Sequence, residues 1–134
     1  LLVPEQRVLA QHLGVGDGGF QMTIQELATI YQTRAKVKVL LLNNEFLGMV
    51  RQWQQLFYDK RYSSTVMENP DFQKVVEGFR IPTKKVTQRE YLNEAVEEFI
   101  SYDGAYFLEV MVGKENNVFP MVPSGSGVSE IRLE

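Results

Sequence analysis

The feature that most restricts the fold of this chain is the run VKVLLL at residues 37–42, which is followed by Asn43 and Asn44. Continuous β-branched and aliphatic residues over this length are typical of a strand buried on both faces, as in a parallel sheet. The segment AYFLEVMV at 105–112 predicts a second strand of the same kind. The two asparagines mark the carboxyl end of the first strand.

Segments with helical periodicity lie between the predicted strands. They are MTIQELATIYQ, LGMVRQWQQLFY, DFQKVVEGF and YLNEAVEEFISY. Thr23 with Glu26, and Thr87 with Glu90, have the spacing of capping boxes. Residues 7–15 and the edge segment IPTKKV predict two further strands. This alternation of strands and helices predicts an α/β fold with a parallel sheet and helices on both faces.

Length and composition indicate one globular domain over residues 1–134, ending in an extended, Gly-, Pro- and Ser-rich tail at 113–134. The net charge is −3 and the basic residues are scattered, which argues against a nucleic-acid binder. Apolar runs are too short for a membrane span, no signal peptide is apparent, and a cytoplasmic location is expected. Cysteine is absent, which excludes thiolate metal sites.

The motif GDGGF at residues 16–20 places Asp17 among glycines, at the expected end of a strand. Glycines let the backbone approach a ligand closely, and a helix that follows them presents unpaired N–H groups to a phosphate. An acid beside a phosphate is repelled unless a cation lies between them. Asn44 adds an amide oxygen from the next strand end, and Mg²⁺ prefers oxygen ligands from protein and phosphate. These residues predict a diphosphate held through Mg²⁺.

The order G-D-G, then 24 intervening residues, then N-N resembles the thiamine diphosphate motif. GDGGFQMTIQELATI, LLLNNEFLGMVRQWQQLFYDKRYSST, NPDF and NVFPMVPSG resemble, in the same order, the C-terminal cofactor domain of the acetolactate synthase catalytic subunit. The resemblance covers nearly the whole chain from Gly16 onward. It implies a thiamine diphosphate-binding fold, truncated at its N-terminal side.

The resemblance also implies roles for individual residues. The Mg²⁺ ligands are expected to be the side chains of Asp17 and Asn44 and the backbone carbonyl of Phe46. The remaining cofactor contacts are expected from Gly18, Gly19, Leu47, Gly48, Met49 and Val50. Met49 and Trp53 are expected to form the pocket for the second 2-keto acid. The RYSST loop and the FPMVPSG segment resemble parts that close over the site.

The reaction implied by the resemblance is decarboxylation of pyruvate and transfer of the hydroxyethyl unit to pyruvate or 2-oxobutanoate, a step of branched-chain amino acid biosynthesis. In that family the glutamate that activates the cofactor belongs to an N-terminal domain and acts across a subunit interface. No residue here matches it, so no catalytic residue is expected in this chain and the isolated chain is expected to be inactive. The family implies further domains and a homodimer or larger assembly; a regulatory subunit and FAD are left open.

Simpler structural interpretations exist for the same residues. Asp17 is also suited to a tight turn, the asparagines to ending a strand, and Met49 and Trp53 to the core face of a helix. Two further functional hypotheses remain open. The chain is either a non-catalytic, free-standing thiamine diphosphate-binding fragment, or part of another thiamine diphosphate-dependent 2-keto acid oxidase or decarboxylase. Arg80 departs from the family, which has a glycine there.

Overall fold

The computed structural model describes residues 11–133, within which four strands alternate with five α-helices. In chain order these are β1 (Gln11–Gly16), α1 (Asp17–Met22), α2 (Glu26–Thr33), β2 (Val37–Asn43), α3 (Gly48–Phe57), α4 (Phe72–Gly78), β3 (Thr83–Val86), α5 (Leu92–Ser101) and β4 (Tyr106–Met111). A single 3₁₀ turn, Arg89–Tyr91, precedes α5.

The four strands form one sheet in the order β1-β2-β4-β3, and every neighbouring pair is parallel. The two aliphatic runs recognised in the sequence are the central strands β2 and β4, and the IPTKKV segment supplies the edge strand β3. The predicted parallel α/β architecture is confirmed. Of the strand predicted over residues 7–15, positions 7–10 lie outside the described residues, and β1 extends to Gly16.

Helices cover both faces of the sheet. One face packs α1, α2 and α4 against the central strands through Phe20, Leu27, Val39, Leu41, Phe72, Val76 and Phe107. The other packs α5 against β3 and β4 through Val86, Ala95, Phe99, Tyr106 and Leu108. Phe20 holds α1 in place because its ring contacts those of Phe72 and Phe107, at centroid distances of 5.4 and 5.0 Å. This anchor lies three residues after Asp17 and so positions the glycine motif.

Both predicted capping boxes are wrong. The first helix begins at Asp17 itself and ends at Met22, so Thr23 follows a helix instead of starting one, and its hydroxyl makes only long hydrogen bonds to Gly19 and Phe20 carbonyls. At the second position the 3₁₀ turn replaces the cap of α5. At the first position Thr23 is the C-cap of α1, where its backbone N–H donates to the carbonyl of Phe20 at 3.0 Å, and α2 begins at Glu26 after Gln25.

Helix α3 is oriented opposite to the usual amphipathic pattern. Its buried side chains are Arg51 and Gln52, whereas Met49, Val50 and Phe57 are exposed. Gln52 binds the backbone of Val118 in the tail through two hydrogen bonds, of 2.8 and 3.0 Å. The polar face of α3 is therefore covered by the tail, and its apolar face lies at the surface.

The tail, residues 113–133, contains neither a helix nor a regular strand, and an isolated bridge joins Met121 to Arg132. At the end of α4, Arg80 has a φ of +58°, in the left-handed region that favours glycine. Arg80, which stands where the family has a glycine, therefore adopts a backbone conformation that glycine adopts more readily. None of the helices described within residues 11–133 is long and apolar enough to cross a bilayer.

Candidate functional site

A cavity of about 580 Å³ lies where β1 and β2 end and α3 begins. All nine residues assigned to the cofactor by resemblance line it, namely Asp17, Gly18, Gly19, Asn44, Phe46, Leu47, Gly48, Met49 and Val50. Ligands of parallel α/β sheets bind at this edge of the sheet. The structure thus brings the two sequence motifs together, while the role of each residue stays a prediction.

Asp17 is the first residue of α1, and its side chain is buried, with a relative exposure of 1%. One carboxylate oxygen, Oδ2, accepts a 2.7 Å hydrogen bond from the amide of Asn69. Within residues 11–133 no lysine or arginine forms an ion pair with Asp17, and Oδ1 has no hydrogen-bond donor. A buried carboxylate is costly unless a cation or hydrogen bonds compensate its charge. Asp17 therefore has the properties of a ligand for a cation.

The turn after β2 is held by its own asparagine side chains. Asn43 Oδ1 accepts from the backbone N–H of Glu45, and Asn44 Oδ1 accepts from that of Phe46, both at 3.1 Å. Glu45 adopts a φ of +56°. In the described part of the chain the carbonyl of Phe46 accepts no hydrogen bond. This carbonyl and the second lone pair of Asn44 Oδ1 remain available to a metal ion.

Segment 65–67 binds this turn through backbone hydrogen bonds. The backbone N–H of Leu47 donates to the carbonyl of Thr65 at 2.8 Å, and that of Met67 donates to the carbonyl of Glu45 at 2.9 Å. Lys114 of the tail forms an ion pair with Glu45, and this ammonium group lowers the pKa of the Glu45 carboxyl. The turn is therefore held by two parts of the chain that are distant in sequence, segment 65–67 and the tail.

Two glycines allow the loops of the site to pack closely. A Cβ atom on Gly18 would lie 2.7 Å from Cδ2 of Leu47, and one on Gly48 would lie 3.1 Å from Nδ2 of Asn44. Real Cβ contacts are rarely this short, so a side chain at either position would displace its neighbour. The neighbour of Gly48 is one of the expected metal ligands.

Trp53 is separated from the other predicted residues. It does not line the main cavity but an adjoining concavity of about 650 Å³, together with Val50, Gln54, Tyr58 and Arg61. Its ring packs on Phe57 with centroids 4.8 Å apart. Val50 lines both cavities, so Trp53 lies beside the site and Met49 within it. Whether the two form a substrate pocket stays a prediction.

The sequence analysis did not single out several residues that contribute to the site. Gln52, Asn116 and Val118 also line the cavity, and Asn69 binds Asp17. Asn69 belongs to the NPDF segment, whose resemblance to the family was the only available signal. Gln52 lies within the segment LLLNNEFLGMVRQWQQLFYDKRYSST, which also resembles the family, and Asn116 directly precedes NVFPMVPSG. Neither residue was singled out, because each reaches the cavity only through the packing of α3 and the tail.

The chain is similar in sequence to proteins of known families. Residues 3–110 match the family model described as thiamine pyrophosphate enzyme, C-terminal TPP binding domain. The chain is 45% identical over 118 residues to the mitochondrial acetolactate synthase of Schizosaccharomyces pombe, covering 88% of this chain and 18% of that protein. It is 42% identical over 117 residues to the acetolactate synthase isozyme 2 large subunit of Escherichia coli, covering 87% and 21%. The chain spans about a fifth of the length of these relatives.

Solved structures show the same fold. Benzoylformate decarboxylase from Polynucleobacter necessarius superimposes with a TM-score of 0.76 at 23% identity, over 84% of this chain and 21% of that one. A thiamine diphosphate-dependent 4-hydroxybenzoylformate decarboxylase from Rhodococcus jostii RHA1 gives a TM-score of 0.71 at 21% identity, over 78% and 20%. At this identity the likeness shows the fold alone. The family match, which covers most of the chain, shows that this protein belongs to the thiamine pyrophosphate enzymes and carries their C-terminal TPP-binding domain.

Proposed function

We propose that this chain is the cofactor-binding part of an acetolactate synthase and that it holds thiamine diphosphate through Mg²⁺. The observation that carries the proposal is the buried carboxylate of Asp17, which has no ion-pair partner among residues 11–133 and lines the main cavity. The relatives named acetolactate synthase support the assignment of the enzyme.

The residues present fit a magnesium ion that is shared with a diphosphate. Mg²⁺ is commonly bound by one or two carboxylates together with phosphates and water, and this site offers one buried carboxylate. Asp17 Oδ1, Asn44 Oδ1 and the Phe46 carbonyl are the oxygens that would hold it. No cluster of three or more acidic or histidine side chains was found in the described residues, so the diphosphate would supply the remaining negative charge.

The other residues of the cavity would orient the cofactor and exclude water. Gly18 and Gly19 line the cavity at the start of α1, where the diphosphate would lie, and Leu47, Met49 and Val50 form an apolar wall. An apolar wall lowers the local dielectric and strengthens the electrostatic interactions of the site. When bound, thiamine diphosphate supplies the electron sink for decarboxylation of a 2-keto acid.

The whole enzyme would act on pyruvate and on a second 2-keto acid, with Met49 and Trp53 beside the acceptor, and serve branched-chain amino acid biosynthesis. It would include the further domains and the homodimer or larger assembly that the family implies, with FAD and a regulatory subunit left open. A cytoplasmic location is part of this proposal, although two of the relatives named acetolactate synthase are described as mitochondrial.

Trp53, the single tryptophan of the chain, reports on the adjoining site, and its fluorescence provides the test. We expect a saturable change when thiamine diphosphate and Mg²⁺ are added to the wild-type chain. Asp17→Ala should weaken binding at least about tenfold, because it removes the buried carboxylate. Asp103→Ala, at a largely exposed aspartate before β4, is the matched control and should bind like wild type. Equal responses from wild type and Asp17→Ala would show that the metal assignment is wrong.

The purified chain should form no acetolactate from pyruvate, because no residue here matches the activating glutamate of the family. A colorimetric assay for acetolactate, with a complete acetolactate synthase as the positive control, measures this. Detectable product from the chain alone would contradict the expected division of the active site between domains.

A further inference from the structure

A continuous chain of hydrogen bonds connects Asp17 with the buried carboxylate of Glu109. Asn69 Nδ2 donates to Asp17 Oδ2 at 2.7 Å and to Asn43 Oδ1 at 3.0 Å. Asn43 Nδ2 in turn donates at 2.7 Å to Oε1 of Glu109, which is buried in the central strand β4. Lys85 on β3 forms an ion pair with the same carboxylate at 3.0 Å.

The amide of Asn69 has only one orientation that satisfies its neighbours. Its NH₂ group faces two oxygens, those of Asp17 and Asn43, and its own oxygen accepts a 2.7 Å hydrogen bond from Gln21. Turning the amide over would place an oxygen against the Asp17 carboxylate and an NH₂ group against the amide of Gln21. The hydrogen-bond pattern therefore fixes which atom of Asn69 meets the carboxylate.

Asn43 is the junction of the network. Its oxygen accepts from Asn69 and, at 3.1 Å, from the backbone N–H of Glu45, so one atom joins the turn after β2 to the residue that binds Asp17. Glu109 sets the orientation of this amide, because its carboxylate needs the NH₂ group and accepts also from Gln73 at 2.8 Å. A buried carboxylate with these donors has little freedom to move.

We propose that Asn69 and Asn43 are positioning residues, which hold Asp17 Oδ2 so that Oδ1 faces the cavity and couple this carboxylate to the turn that carries Asn44 and Phe46. The two adjacent asparagines then have different tasks. Asn44 faces the cavity, and Asn43 lies behind it and aligns the two loops. The part of this assignment that concerns Mg²⁺ rests on the proposed function. The orientation of the Asp17 carboxylate does not, because it follows from hydrogen bonds within the chain.

The first test is a double-mutant cycle on Mg²⁺ and thiamine diphosphate binding, followed by Trp53 fluorescence. Asn69→Leu keeps the approximate shape and removes the donor, and it should weaken binding roughly 10- to 100-fold, as is usual for groups that orient a metal ligand. Combined with Asp17→Ala it should cause little additional loss, because Asn69 acts through that carboxylate. Asn93→Leu, on the exposed side of α5, is the control and should leave binding unchanged.

A purely structural role for Asn69 predicts a different result, namely an equal loss of binding whether or not Asp17 is present. That outcome, or wild-type affinity of Asn69→Leu, would overturn the proposal. Circular dichroism spectra of all variants identify any that do not fold.

The second test needs no ligand. Hydrogen exchange of the Asn69 side-chain NH₂ group, measured by NMR, should be slow in the wild type and at least several-fold faster in Asp17→Ala, because the carboxylate holds this amide. Fast exchange in both proteins would refute the positioning role. If the wild-type chain gives no fluorescence response to the cofactor, the proposed function fails for the isolated chain, and the exchange experiment still decides the orientation of Asp17.

Discussion

Replacement of Phe20 by alanine tests whether one aromatic side chain anchors the helix that carries the candidate metal ligand. Phe20 has a relative exposure of 4% and lies between the rings of Phe72 and Phe107. Its neighbours belong to α4 and β4, so the side chain joins three elements. Met22 lies two residues further along the same helix with a relative exposure of 73%, and therefore provides a matched control.

The expected cost follows from burial and packing. Removing water from a phenylalanine side chain contributes about 2–3 kcal/mol, and each well-oriented aromatic pair adds about 1 kcal/mol. Because the surrounding core relaxes only in part, Phe→Ala substitutions in cores cost about 3–5 kcal/mol. For a domain of this size this corresponds to a fall in melting temperature of about 10–20 °C. Met22→Ala should change stability by less than about 0.5 kcal/mol.

Urea unfolding followed by far-ultraviolet circular dichroism measures both variants against the wild type. A lower midpoint for Phe20→Ala with an unchanged slope would show lost stability without a change in the unfolded state. The reasoning is refuted if Phe20→Ala loses less than about 1 kcal/mol, or no more than Met22→Ala, since core burial predicts a cost several times larger.

Two further predictions concern a buried lysine and a glycine. Burial lowers the pKa of Lys38 in the folded chain. At pH values between this lowered pKa and the ordinary one, the unfolded chain binds more protons than the folded chain, so the stability of wild type relative to Lys38→Met should rise with pH. Urea midpoints at pH 7 and 10 measure the stability difference between the two proteins, and a difference that stays constant would contradict the prediction. Gly48→Ala should displace the Asn44 amide and weaken Mg²⁺ and thiamine diphosphate binding several-fold in the Trp53 titration. Gly78→Ala is the control and should bind normally, because no atom lies near its Cβ position. Normal binding by Gly48→Ala would contradict the argument from the short distance between Gly48 and Asn44.

The strands and the location of the site could be predicted from local patterns. The run at 37–42 is aliphatic except for Lys38 and does not alternate, which is typical of a strand covered on both faces, and it forms the central strand β2. The spacing of GDG and NN placed Asp17 and Asn44 at neighbouring strand ends, and both line the same cavity. The helix starts could not be predicted in the same way, because Thr23 ends α1 instead of capping α2, which begins at Glu26.

The position of Trp53 shows a second limit. A helical pattern identifies the apolar stripe of α3 but does not say which side faces the protein, because that depends on what covers the polar side. Here the tail binds Gln52, so the apolar stripe that includes Val50 lies at the protein surface. Trp53 therefore lines the concavity beside the main cavity. The resemblance to the family supplied the residue and not its orientation.

The sequence by itself determined the parallel α/β architecture, the two central strands and the family, since each depends on short patterns or on the order of motifs. The tertiary structure alone decided how Asp17 is held. Its partner Asn69 is 52 positions away, and Asn43 binds Glu109 across 66 positions. Hydrogen bonds over such separations arise only after strand register and helix packing bring the groups within about 3 Å, and no local pattern encodes that approach.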